Sequence, residues 1–215
     1  MKHKQTLAIV DYGRGNLHSV KSGFEKARDN LELDLDVLVT ANVAEIEIAD
    51  RVVLPGVGAM GDCFAQLQSS GLVEAVKHAF QHKPFFGICV GMQILLETGQ
   101  ENGGCKGLGY VPGQVVRFKP QENIKIPHIG WNQVEHGNHP LFAGIPDKAR
   151  FYFVHSYHVA LPVDQQHLAI AQCEYGSGFP AAIGANNWVA TQFHPEKSHQ
   201  WGIQLLQNFL LWQTV

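Results

Sequence analysis

The pentapeptide Gly87-Ile88-Cys89-Val90-Gly91 constrains this chain more than any other segment. An apolar run, Pro84-Phe85-Phe86-Gly87-Ile88, leads in as a buried strand would, and a run with helical spacing, Val90 to Thr98, leads out. Passing from strand to helix through one residue makes a tight, strained turn, which the two glycines permit. The residue at the apex is held exposed at the sheet's edge. With cysteine there, the segment reads as a nucleophile elbow, and the helix N-terminus behind Cys89 favours the thiolate, the form that attacks. The same residues also fit a buried structural cysteine in a glycine-rich turn.

A partner lies near the other end. Trp188-Val189-Ala190-Thr191-Gln192-Phe193 reads as a buried strand running into His194-Pro195-Glu196-Lys197-Ser198. Pro195 should stop the strand and hold the backbone extended. Residues two apart in extended backbone share a face, so His194 and Glu196 point the same way. That suits a histidine base oriented by a carboxylate, although an exposed His-Pro-Glu turn fits the segment alone. Nucleophile and base, far apart in sequence and each ending an apolar strand, stand where open α/β folds build their sites.

Composition narrows the class. At 215 residues and 45% hydrophobic, residues 1–215 can form one well-buried domain. Sixteen basic against nineteen acidic residues give no electrostatic support for a nucleic-acid partner. The apolar run after Met1-Lys2-His3-Lys4-Gln5-Thr6 covers only Leu7 to Val10, too short for a signal peptide's core, and nothing later approaches a membrane span. Cys63, Cys89, Cys105 and Cys173 show no C-x-x-C spacing and read as free thiols in a reducing cytoplasm. Twelve histidines invite a metal, yet none lies in an H-E-x-x-H or cysteine-rich pattern, so neither metal nor cofactor is expected.

Strand then helix is the repeating pattern. Leu7–Val10, Leu35–Val39, Val52–Leu54 and the run before Cys89 read as strands; Leu17–Arg28, Cys63–Gln68 and Leu72–His82 read as helices. This alternation predicts a parallel sheet covered on both faces. After Leu108 the runs Val115–Phe118, Trp131–Val134, Phe151–Val154, His167–Cys173 and Ala181–Ile183 are strand-like, with no long helix between them. They are expected to extend the sheet as antiparallel strands, with a closing helix from about Trp201 to Trp212.

The elbow, the late His-Pro-Glu and the Pro-Gly-x-Gly turn together resemble the class I, or triad, glutamine amidotransferases. Finer segments are similar to the glutaminase subunit of imidazole glycerol phosphate synthase. They are Asp11-Tyr12-Gly13-Arg14-Gly15-Asn16, Pro55-Gly56-Val57-Gly58-Ala59, Gly87 through Gln93, Pro127-His128-Ile129-Gly130-Trp131-Asn132, Phe153-Val154-His155-Ser156-Tyr157 and Gln192 through Ser198. Val90 stands where leucine is expected and Met60 where phenylalanine is, a change expected to affect packing under the Pro-Gly turn.

The resemblance implies a flavodoxin-like, mostly parallel sheet with helices on both faces and an antiparallel C-terminal extension. It implies a triad of Cys89, His194 and Glu196 that hydrolyses L-glutamine to glutamate and ammonia. Backbone N–H groups of Val90 and of Val57 or Gly58 would stabilise the oxyanion. Gln93 and Glu101 would hold the α-carboxylate and α-amino end of glutamine, with backbone groups of Ser156 and Tyr157 beside them. Gln93 also fits a polar helix position, and Glu101 an ordinary surface carboxylate. The implied partner is a separate cyclase subunit with a (β/α)8 barrel, which uses the ammonia to make imidazole glycerol phosphate and aminoimidazole carboxamide ribotide in histidine biosynthesis. Asn16, His128, Trp131, Asn132 and Lys197 would face it, although Trp131 also fits core packing. Rival readings are a triad glutaminase serving another synthase, an inactive scaffold, and a γ-glutamyl cysteine hydrolase.

Overall fold

The computed structural model describes residues 4–122 and 124–213, so Met1 to His3, at the head of the segment weighed as a signal peptide, lie outside it. The first half alternates as expected: β1 (Gln5–Val10), α1 (Leu17–Asn30), β2 (Leu35–Thr40), α2 (Val43–Ile48), β3 (Arg51–Gly56), α3 (Met60–Ser69), α4 (Val73–His82) and β4 (Phe85–Cys89). Then come α5 (Val90–Gln93), β5 (Leu96–Gly99), β6 (Cys105–Lys106), β7 (Val111–Arg117), β8 (His128–His136), β9 (Ala149–His155) and β10 (Tyr157–Ala160). The chain closes with β11 (Ala169–Glu174), β12 (Gly178–Ala185), β13 (Trp188–Thr191) and α6 (His199–Leu211).

Among the described residues, nine strands form one sheet in the order β2-β1-β3-β4-β13-β12-β11-β8-β9. The first five are parallel and the remaining pairings antiparallel. Successive residues of a strand face opposite sides, and β4 shows how both faces are used. Phe86 meets Phe24 of α1 and Phe209 of α6, with ring centroids 6.5 and 5.1 Å away. Phe85 meets Phe80 of α4 at 5.5 Å on the other side. Helices therefore cover both faces, as the apolar strand runs require.

Two expectations change. The helix expected from Val90 to Thr98 is a single turn, Val90–Gln93, after which the chain becomes strand β5. Strands β7 and β10 do not extend the main sheet. They join β5 and β6 in a second sheet of order β10-β7-β5-β6, so the strand read at Val115–Phe118 belongs with β5 and β6 before it rather than with β8 after it. A strand pairing takes precedence over the helical spacing of Val90–Thr98, because Leu96, Thr98 and Gly99 pair with Val111, Gln114 and Val115. Met60 is fully buried and packs against this second sheet rather than only under the turn: a Cβ on Gly99 or Gly107 would lie 2.6 or 2.9 Å from its thioether.

The elbow glycines serve clearance. Neither Gly87 nor Gly91 has a positive φ; that belongs to Cys89 itself, at φ 56 and ψ −112. A Cβ on Gly91 would lie 1.8 Å from the carbonyl oxygen of Leu54 in β3, and one on Gly87 would lie 2.9 Å from the carbonyl oxygen of Gly91. Backbone cannot yield as a side-chain tip can. Gly91→Ala is therefore expected to destabilise the fold by about 3 kcal/mol, the upper end of the usual overpacking range. Gly137→Ala, whose Cβ meets nothing within 4 Å, should stay within about 0.5 kcal/mol of the parent in the same urea-unfolding measurement.

Candidate active site

Three neighbouring parallel strands deliver the site. Gly56, at the end of β3, is in register with Cys89 at the end of β4, and Thr191, at the end of β13, pairs with Ile88. The Gly56-Val57-Gly58 turn, Cys89 and His194 thus emerge at one edge of the sheet. Cys89 has a backbone conformation that L-residues rarely adopt, the strain expected of an elbow. The residue is nonetheless largely buried, 4% exposed, so the elbow opens into a pocket rather than onto the surface.

His194 and Glu196 meet through a different local geometry from the expected one. Pro195–Lys197 is a 3-10 turn, with proline at its start, not extended chain. The turn brings Glu196 Oε1 within 2.8 Å of His194 Nδ1, both side chains being almost fully buried. It is tied to the sheet on both sides: His194 N–H donates to the Tyr152 carbonyl at 2.9 Å, and Ser198 Oγ donates to the His194 carbonyl at 2.6 Å. His194 Nε2 is buried without a hydrogen bond of its own, as is Glu196 Oε2. Burial alone pushes the imidazole down, but the Cys89 thiolate and the Glu196 carboxylate outweigh it and lift His194 to about 10. Burial instead pushes the Cys63, Cys105 and Cys173 thiols up, and all four cysteines are free.

A cavity of about 430 Å³ opens in front of Cys89, lined by Val57, Gly58, Val90, Gln93, Glu101, Ser156, Tyr157, His194 and Lys197 among others. Every residue expected at the triad, the oxyanion hole and the substrate end lies at this cavity, except Glu196, which stands behind His194. Gln93 donates through Nε2 to the Tyr157 carbonyl and to Gln192 Oε1, both at 3.1 Å. Both its N–H bonds are committed, so its free capacity is an acceptor oxygen. Glu101 is more than a surface carboxylate: Oε2 accepts the Met60 N–H at 2.8 Å, at the start of α3. The Val57 carbonyl accepts from Cys63 Sγ at 3.3 Å, and the planar trans peptide turns the Gly58 N–H away from that thiol.

The residues expected to face a partner divide. Trp131 is 41% exposed and stacks on His199 with ring centroids 4.9 Å apart, so it is not core. Asn16 is half-buried and caps α1 through Ser19 N–H. Lys197 borders the cavity, and its Nζ lies 5.9 Å from the Tyr152 ring centroid. His128 is the correction. It is 3% exposed, stacked on Tyr175 and Phe153, and cannot present itself to a partner. In β8 it shares the inward face with buried Val134, opposite exposed Ile129, Trp131 and Gln133. Sequence reasoning also missed His155 and Gln192; the available signal for Gln192 was an amide inside an otherwise apolar strand run.

The arrangement is a strained cysteine, a buried imidazolium beside it and a carboxylate behind, facing a small polar-rimmed cavity. Such a set can support nucleophilic attack on a carboxamide. Residues 8–212 match the family model described as glutamine amidotransferase class-I. The chain belongs to the class-I glutamine amidotransferases. Within that class it is 49% identical over 212 residues to the imidazole glycerol phosphate synthase subunit HisH of Chromobacterium violaceum, covering 96% of this chain and 97% of that one. It is 48% identical over 214 residues to subunit HisH 1 of Pseudomonas aeruginosa, covering 97% of each. The crystal structure of a glutamine amidotransferase from Thermotoga maritima shares the fold, with a TM-score of 0.61 at 20% identity, covering 90% of this chain and 77% of that one.

The coupling of His194 to Cys89 has a direct test. Removing the thiolate leaves burial opposed by Glu196 alone, so Cys89→Ala should lower the His194 pKa by at least about one pH unit, read from its ¹⁵N chemical shifts. A titration identical to that of the parent would show that the two groups do not interact.

Proposed function

We propose that this chain is the glutamine-hydrolysing subunit of imidazole glycerol phosphate synthase, with Cys89, His194 and Glu196 as its triad. The observation that carries the triad is the buried 2.8 Å His194–Glu196 pair behind a cysteine held at φ 56. The near full-length HisH relatives support the choice of synthase.

In this reading the Cys89 thiolate attacks the γ-carboxamide carbon of glutamine and the carbonyl π electrons move onto oxygen. The oxyanion is met by the Val90 N–H and by an N–H of the Val57-Gly58 turn. Collapse breaks the C–N bond, and His194 protonates the leaving nitrogen, releasing ammonia and a thioester. His194 then takes a proton from water, which attacks the thioester, and glutamate leaves as Cys89 returns. Glu196 orients the ring and stabilises the imidazolium. At the far end, the Gln93 oxygen and the second Glu101 oxygen are acceptors for the α-ammonium. Backbone groups of Ser156 and Tyr157 complete that end of the pocket.

The ammonia acceptor is a cyclase subunit with a (β/α)8 barrel, forming a heterodimer in the cytoplasm. Ile129 and Trp131 of β8 and Val154 of β9 are 60%, 41% and 36% exposed, and Val154 also borders the cavity. This apolar rim beside the pocket mouth supports docking there, with Asn16, Asn132 and Lys197 around it. Among the described residues no helix is long and apolar enough to cross a membrane.

Cys89→Ala should abolish glutamine hydrolysis while the complex still uses added ammonia. Glu196→Gln should retain at least about tenfold more activity than His194→Ala in single-turnover assays, because orienting a base is a smaller effect than transferring the proton. Equal losses would remove the role given to Glu196.

Ammonia released without an acceptor is wasted. The two glycines of the Pro55-Gly56-Val57-Gly58 turn make a peptide flip sterically cheap, and such a flip switches one oxyanion donor on or off. One donor is worth roughly 2.7–4 kcal/mol, or about a hundred- to a thousandfold. Binding of the barrel subunit and its nucleotide ligand is therefore expected to raise kcat by about that factor, with little change in KM, in steady-state assays. Full kcat in the isolated chain would rule out this switch.

A further inference from the structure

Gln192 follows β13 directly and is 0% exposed in a run of apolar neighbours. A buried primary amide must find partners for two donors and an oxygen, or its desolvation goes uncompensated. Its partners are specific. Oε1 accepts from Gln93 Nε2 at 3.1 Å, and Nε2 donates to Cys89 Sγ at 3.9 Å. The reverse amide orientation would set two NH₂ groups face to face and aim an oxygen at the sulfur.

The orientation of Gln93 is in turn fixed from further out. Gln93 Nε2 shares the Tyr157 carbonyl with His155 Nδ1, which lies 2.8 Å from that oxygen. A nitrogen facing a carbonyl must carry the proton, so neutral His155 offers Nε2 as an acceptor. His128 Nδ1 lies 3.0 Å from that Nε2 and must therefore be the donor. His128 Nε2 is left as an acceptor and faces Asn132 Nδ2 at 3.4 Å, while the same Asn132 amide donates to the Glu174 carbonyl at 2.9 Å. Burial holds both rings neutral, pushing His128 down to about 4 and His155 to about 3. The Tyr157 carbonyl, which can only accept, orders the His155 ring on one side and the Gln93 amide on the other, and the remaining proton positions out to Asn132 and in to the thiol follow from it.

We propose that Gln192 is a positioning residue for Cys89, donating to its sulfur as the thiolate forms, and that the Asn132–His128–His155 relay holds that donor in place through Tyr157 and Gln93. The proposal rests on Cys89 being the nucleophile. A neutral amide favours the anion without giving it a proton, which leaves His194 free to serve as the acid. The rotation of the Cys89 side chain is thereby tied to Gln192, 103 residues away in sequence, and through it to His128 and His155 of β8 and β9, 27 residues apart.

The full chain and its Gln192→Met and Gln192→Glu variants test this. Iodoacetamide labelling of Cys89 is followed across pH by mass spectrometry, with the Cys63, Cys105 and Cys173 peptides as internal controls. The titratable groups close to Cys89 are His194, Tyr12 and Cys63, with Glu101, Lys197, His155 and Tyr157 on the same cavity, and neither substitution replaces any of them. Gln192→Met removes the donor at similar size. It should raise the labelling midpoint by about one pH unit and lower glutaminase kcat about tenfold in the complex, with KM within about twofold. Gln192→Glu keeps the acceptor for Gln93 but turns an oxygen to the sulfur, so its midpoint should lie higher still; it also serves if the Met variant does not fold. His128→Phe keeps the stacked ring and breaks the relay, and should shift the midpoint the same way by a smaller amount. A parental midpoint in both Gln192 variants would overturn the proposal even with Cys89→Ala inactive, and a parental midpoint in His128→Phe would overturn the relay. Retained activity in Cys89→Ala would instead overturn the nucleophile on which both rest.

Discussion

The elbow helix lies directly on the backbone of β3, and the rest of the site depends on that contact. With Gly91 unable to carry even a methyl group against the Leu54 carbonyl, α5 sits closer to the strand than ordinary side-chain packing allows. Gly56 is under the same constraint, since a Cβ there would lie 2.8 Å from Gly91 N and from Tyr12 Oη. The Tyr12 hydroxyl in turn donates to the Pro55 carbonyl at 2.9 Å, fastening the turn from the β1 side. Cys89 and the Gly56 end of the turn are thereby set by backbone against backbone, which is stiffer than any side-chain contact, while a Cβ on Gly58 at the far end would meet nothing within 4 Å.

A second constraint is electrostatic. Burying a carboxylate carries a penalty of several kcal/mol unless a partner answers it, and Glu196 is 1% exposed with only one oxygen hydrogen-bonded. The answer is the His194 imidazolium, whose Nδ1 lies 2.8 Å from Glu196 Oε1 and whose pKa is raised beside that carboxylate. That pair holds only if the turn is rigid, and the ties to Tyr152 and Ser198 provide this. Even α1 yields space to it: a Cβ on Gly23 would come within 3.2 Å of Glu196 Cβ.

The parallel half was legible because its strands are apolar on both faces and its helices amphipathic, so local pattern and tertiary outcome agree. The elbow and the His-Pro-Glu segment were legible because each needs unusual residues at fixed spacing. What escaped was set by distant pairing. Nothing local in Val90–Thr98 reveals that Leu96–Gly99 will join a sheet with Val111–Arg117. His128 reads as a residue facing a partner, yet Phe153 and His155 of β9 and Tyr175 from the bend after β11 enclose it. Spacing correctly paired His194 with Glu196, but through a 3-10 turn rather than extended chain, since proline starts such a turn as readily as it ends a strand.

The shortness of α5 has a consequence for how the pocket is divided. A helix running to Thr98 would have carried the chain back along the main sheet, as the other crossovers do. By stopping after one turn, the chain enters the second sheet within a few residues of the nucleophile. Gln93 ends the helix, Glu101 follows β5, and Tyr157 begins β10 of that sheet, so three of the groups lining the cavity come from it or its approach. The triad comes from the parallel edge of the main sheet. The two sides of the cavity thus stand on different sheets joined by a four-residue helix, and hydrogen bonds from Gln93 to Tyr157 and Gln192 cross that joint. A displacement of the second sheet relative to the first would be felt at those bonds first, because the amide of Gln93 is held by Tyr157 on one side and Gln192 on the other.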